Sequence, residues 1–134
     1  MAHGILLLAH GARDPAWARP FEQTLDQLAA RGRPVALSFL EFISPDLVEA
    51  GRQLVDQGCT AVTVVPLFLG AGGHVRKDVP VLMERLRQTH PAVDWQLARA
   101  VGETATVVDA LAQAAWALAD GAPGAAPAPD RDTP

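Results

Sequence analysis

Three residues able to do metal chemistry stand at regular intervals in this chain. His10 closes the apolar run of residues 4–9, and Glu41 lies at the end of a second run. His74 follows a third run and is delivered by Gly70-Ala71-Gly72-Gly73. The separations are 31 and 33 residues, each the size of one strand–helix unit. Two imidazoles and a carboxylate form a donor set suited to a divalent transition metal. A neutral imidazole, with an ordinary pKa of about 6.5, also accepts protons near neutral pH.

Each residue has a plainer role open to it. A strand-end histidine can cap a turn or bond to backbone, and a lone loop glutamate is usually solvated. The glycines would serve as a tight connection, or as an anion-binding nest at a helix N-terminus. No GxxxxGK[ST] phosphate loop follows them. Three candidates at equivalent places weigh more than any one alone. Asp78, four residues after His74, shares its helix face and would orient the imidazole. The alternative is a first-turn aspartate favoured by the helix dipole. Lys77, the one lysine of the chain, lies three residues from His74.

These residues need elements to position them. Residues 4–9 read as a strand buried on both faces. Asp14-Pro15 reads as helix cap and first position, with a helix to Ala30 and Gly32 as its stop; Pro20 either splits it or marks its start. Residues 35–42 are a second strand, and Ser44-Pro45 opens a second helix that Gly58 ends. Residues 60–69 are a third strand, with Pro66 awkward inside it and a candidate end for the ladder. A helix spans 74–89, a short strand 94–98, and an alanine-rich helix 104–118. The alternation predicts an α/β fold: an open four-stranded parallel sheet, order 2-1-3-4, with helices on both faces. Ligands of such sheets bind beyond the carboxyl ends of the strands, at the switch in strand order. His10, Glu41 and His74 all fall on that edge.

The 134 residues suggest one α/β domain over residues 1–119. Residues 120–134 turn to Ala, Pro, Gly and Asp, without apolar periodicity, and read as a disordered tail. A net charge of −4 without a basic tract argues against nucleic acid. No run approaches the ~20 apolar residues of a membrane span. The single cysteine, Cys59, reads as a buried apolar filler and fits a reducing, cytoplasmic setting. His3 falls at a frayed terminus, His90 at a helix end, and Trp17, Trp95 and Trp116 read as packing residues.

The stretches LLLAHGARDPAW, FLEFISPDL and VVPLFLGAGGHVRKDVP together resemble the small CbiX class of tetrapyrrole chelatases over residues 4–118. The resemblance implies ATP-independent insertion of Co²⁺ or Fe²⁺, with Ni²⁺ also open, into sirohydrochlorin for cobalamin or sirohaem synthesis. The metal is a substrate, and no tightly bound cofactor is implied. By the resemblance His10 and His74 are the active-site histidines and Glu41 is the acidic metal ligand. Longer relatives carry two such halves; short ones pair as homodimers, as expected here. The chain departs from the long relatives in having one half, and it lacks the histidine-rich tract of some. Sirohydrochlorin carries many carboxylates, so an acidic protein needs local positive charge. Arg13, Arg76 and Lys77, beside the two histidine loops, are the candidates.

Three rivals remain at this level. Histidine phosphatases also begin with a strand ending in His-Gly, but an arginine precedes their histidine; here it is Ala9. A flavodoxin-like module needs phosphate-binding Ser or Thr in its first loop, and HGARDP has none. A non-catalytic divalent-metal carrier would use the same three ligands, and turnover of a tetrapyrrole separates it from an enzyme.

Overall fold

The computed structural model describes residues 2–70 and 72–121, with the His74 side chain outside the description. Its centre is β1 (Ala2–Ala9), where Leu6, Leu7, Leu8 and Ala9 are all buried. Side chains alternate across a strand, so a continuous apolar run requires cover on both faces. The other strands are β2 (Val35–Phe39), β3 (Cys59–Pro66) and β4 (Asp94–Leu97). All pair in parallel in the order β2-β1-β3-β4, as the alternation predicted. Leu7 stands between Leu37 on one side and Val65 on the other. The buried Ser38 stays satisfied because its hydroxyl donates to the Leu7 carbonyl at 2.7 Å.

Helices cover the two faces unequally. On one face α1 (Arg19–Ala29) lays Phe21, Leu25 and Leu28 against Leu7, Leu37 and Phe39. On the other, α2 (Leu47–Asp56) and α3 (Gly73–Thr89) bury Leu47, Ala50, Leu54, Val79, Met83 and Leu86 with Leu6, Leu8, Val62, Val64 and Trp95. Each fully buried Leu or Met contributes roughly 1.5–3 kcal/mol. The last helix, α4 (Ala105–Asp120), buries no residue.

Several boundaries differ from the sequence reading, each for a local reason. The first helical segment splits: Asp14 caps a 3₁₀ turn at Pro15–Ala18, its side chain accepting from the Ala16 N–H at 3.0 Å. Pro20 then lies in the first turn of α1, where its missing N–H costs nothing. α2 is capped by Asp46 rather than by Ser44. Asp46 accepts from the Glu49 N–H at 2.9 Å, and Glu49 accepts from the Asp46 N–H at 3.0 Å. This reciprocal box satisfies two otherwise free donors, out of reach of a serine two residues earlier. Within the run of residues 60–69 β3 ends at Pro66, the break that the proline itself signalled, since proline cannot extend the ladder. α4 runs through Asp120, one residue past the expected domain boundary, and Gly121 closes it at φ 66°. Of the stretch 120–134 read as a disordered tail, Asp120 belongs to α4, and residues 122–134 lie outside the described residues.

Candidate active site

The carboxyl edge is assembled by three loops. β1 ends at Ala9, and His10 follows directly, half-buried. Its ring packs against Phe68, with centroids 4.4 Å apart and planes tilted by 38°. Phe68 is itself buried and leaves β3 through the apolar stretch that looked like strand. The position of Phe68 depends on a close approach from the far side. The Gly102 N–H donates to the Phe68 carbonyl at 2.9 Å, and a Cβ at Gly102 would strike the Leu69 backbone. A glycine in the 3₁₀ turn Val101–Glu103 therefore holds the support beneath the His10 ring.

The loop after β2 is bound to the loop after β1. Beyond Phe39 the ladder continues without being strand: the Leu40 N–H donates to the Ala9 carbonyl at 2.9 Å and the Glu41 N–H to the His10 carbonyl at 3.0 Å. This brings His10 and Glu41 onto adjoining backbone, as their positions on parallel strands implied. Gly11 makes the approach feasible. It adopts φ 100°, and a Cβ there would run into the Glu41 carbonyl oxygen. The expected strand over 35–42 stops short because the chain turns at Phe42, which has φ 68°. The Glu41 carbonyl accepts from the Ile43 N–H at 2.8 Å, closing a γ-turn around Phe42.

The third loop enters α3. Gly72 occupies the cap, and Gly73 and His74 form the start of the helix, which begins within one residue of the expected span 74–89. The His74 backbone thus stands at the positive end of α3. Arg76 and Lys77 are exposed in the same turn. Arg76 borders an apolar groove of about 200 Å³ formed with Phe68, Val75, Val79, Leu97 and Ala100. Asp78 is half-buried and borders a second groove of about 340 Å³ with Leu40, Glu41, Val81, Leu82 and Arg85. The structure thus puts Asp78 beside Glu41, from which the sequence separated it by 37 residues. Arg13 is exposed, with its guanidinium carbon 4.7 Å from the centre of the Phe42 ring.

Among the described residues no three His, Cys, Asp or Glu side chains stand close enough to share a metal ion. His10 and Glu41 are gathered at one edge, and the backbone of His74 enters from the third unit. Away from the edge, Cys59 is buried at the start of β3, and burial pushes its thiol pKa up. It is a neutral packing residue, as expected. Two site features escaped sequence reasoning. Phe68 lay inside an apolar run with nothing to mark it as the support of a ring. Phe42 looked like the last residue of a strand.

The fold and this edge define a class: a parallel α/β half-unit that offers imidazole and carboxylate where its strand order reverses. The chain belongs to the CbiX family, whose pattern it matches over residues 4–116. It is 30% identical over 112 residues to a sirohydrochlorin cobaltochelatase of Sulfolobus acidocaldarius, covering 84% of this chain and 89% of that one. A putative cobalamin biosynthesis CbiX protein of Marinobacter aquaeolei superposes with a TM-score of 0.80 at 34% identity, over 90% of this chain and 99% of the other. The sirohydrochlorin chelatase SirB of Bacillus subtilis subspecies spizizenii, solved with cobalt, gives a TM-score of 0.76 at 26% identity. That match takes in 87% of this chain but 50% of SirB.

Proposed function

We propose that this protein inserts a divalent metal, Co²⁺ or Fe²⁺, into sirohydrochlorin without ATP. The observation that carries the reading is the joining of the His10 and Glu41 loops at the switch in strand order, in a chain of the CbiX family. Relatives named sirohydrochlorin cobaltochelatase supply the substrate class. Insertion exchanges two pyrrole N–H protons for one M²⁺. His10, firm on Phe68, and His74 accept those protons and hold the incoming ion. Glu41 adds a carboxylate that offsets the charge of the ion. Asp78, across the groove from Glu41, supports the site from α3. Arg13, Arg76 and Lys77 draw in the acidic macrocycle.

The active form is a homodimer on this reading, and the setting is cytoplasmic. Two observations support the dimer. The grooves of one copy, about 200 and 340 Å³, sit at or below the ~300–1,000 Å³ that encloses a drug-sized ligand, and a tetrapyrrole is larger. α4 exposes Val108, Leu111, Trp116 and Leu118, an apolar surface of the kind that a second copy covers.

The test is anaerobic insertion into sirohydrochlorin with Co²⁺, Fe²⁺ and Ni²⁺, alongside circular dichroism. His10→Ala and His74→Ala should fold and lose about 100-fold or more of the rate. Glu41→Gln should weaken metal binding and keep residual turnover. A folded double histidine variant that inserts metal at the unmodified rate would overturn the mechanism.

A further inference from the structure

Phe42 pairs an unfavourable backbone with an exposed side chain. Its φ of 68° belongs to a region that bulky L-residues rarely enter. The residue is 58% exposed, so burial does not compensate for that strain. Glycine would fit this turn better on both counts. Strain of this kind persists where the surroundings hold it and where the geometry serves a purpose. The surroundings are on view: the turn is closed by the Ile43 N–H on the Glu41 carbonyl, and Gly11 abuts that carbonyl. The consequence is that an aromatic face stands out from the residue next to Glu41. Arg13, two residues beyond Gly11 on the neighbouring loop, lies over that face at 4.7 Å.

We propose that Phe42 is a positioning residue for substrate. It holds the Arg13 guanidinium as a fixed carboxylate fork at the rim of the site, on the side of His10 and Glu41. The inference rests on the functional reading above, because it takes the ligand to be a tetrapyrrole ringed by carboxylates. An exposed arginine normally samples many rotamers, and ordering it on binding costs affinity. An aromatic face restrains it through a cation–π contact. The five N–H donors of a guanidinium lie in its plane, so a ring against its face leaves them able to grip a carboxylate in a bidentate pair. Lysine cannot replace arginine in this arrangement, since an ammonium has no plane to stack and no fork. The strained turn fixes the direction of the ring and hence of the fork. Arg13 thus acts as a directed contact for one peripheral carboxylate, beyond its general positive charge.

The experiment measures binding of metal-free sirohydrochlorin by fluorescence titration, with insertion kinetics and thermal unfolding beside it. Phe42→Gly removes the ring and relieves the backbone, so the variant should unfold at the wild-type temperature or above. Its Kd should nevertheless rise by up to about tenfold, as expected when an unrestrained arginine must be ordered on binding, with the loss in KM rather than kcat. Phe42→Leu and Arg13→Lys should weaken binding similarly, and Phe42→Trp should restore it. A tetrapyrrole with esterified carboxylates should bind wild type and Phe42→Gly equally. Unchanged affinity in Phe42→Gly and Phe42→Leu, or a fall of equal size with the ester, would overturn the inference and leave the functional reading intact. So would a change in oligomeric state, seen by light scattering, that accounts for the loss. A wild-type protein that binds the tetrapyrrole yet inserts no metal removes the functional reading alone; one that does not bind it removes both.

Discussion

Replacing Gly11 by alanine should damage both stability and activity, through two separable costs. At φ 100° an L-residue carries a backbone penalty of about 1–2 kcal/mol. The new Cβ would also strike the Glu41 carbonyl oxygen, so the two loops must part. Parting them loses the Glu41 N–H bond to the His10 carbonyl, a net of about 0.5–1.5 kcal/mol. Together they amount to about 1.5–3.5 kcal/mol. For a domain of this size that lowers the melting temperature by roughly 6–14 °C. The rate should suffer more than the fold, because a shift of about 1 Å between reacting groups can cost about 100-fold. The assay is thermal unfolding by circular dichroism, paired with insertion measured well below the transition. A Gly11→Ala protein that melts within about 2 °C of wild type and inserts metal normally would refute the claim that this contact holds His10 and Glu41 together.

Three further outcomes are expected. Asp46→Ala breaks the capping box of α2 and should cost about 1 kcal/mol, or roughly 4 °C, while insertion at low temperature stays unchanged; Asp46→Asn should recover most of it. Joint replacement of Arg13, Arg76 and Lys77 by glutamine should raise KM for sirohydrochlorin at low salt, with the difference shrinking as salt rises; an unaltered KM at low salt would remove their role. Trp116→Ser with Leu118→Ser, both exposed on α4, should shift the protein from dimer to monomer in light scattering and reduce insertion; an intact, active dimer would place the interface elsewhere.

Much of the architecture could be read from the chain because its signals are local. The unbroken apolar run of β1 calls for cover on both faces. The alternation of strands and helices then leaves few topologies, and the handedness of crossovers selects the order β2-β1-β3-β4. Once parallel order is known, His10 and Glu41 must meet, because each follows a strand that ends on the same edge. What the tertiary structure decided depends on approach between distant segments, which no local pattern encodes. Leu40 and Glu41 look like continuing strand, and only their bonds to Ala9 and His10 show a loop tied to its neighbour. The support of the His10 ring by Phe68 depends on Gly102, 34 residues further along. Helical spacing places Asp78 on the face of His74, and the packing of α3 also sets it in the groove of Glu41, a proximity no local spacing encodes. The strained turn at Phe42 was the least legible of all, because propensity alone would never place a phenylalanine at positive φ. Pairing between loops imposes that conformation, and pairing exists only once the sheet has formed.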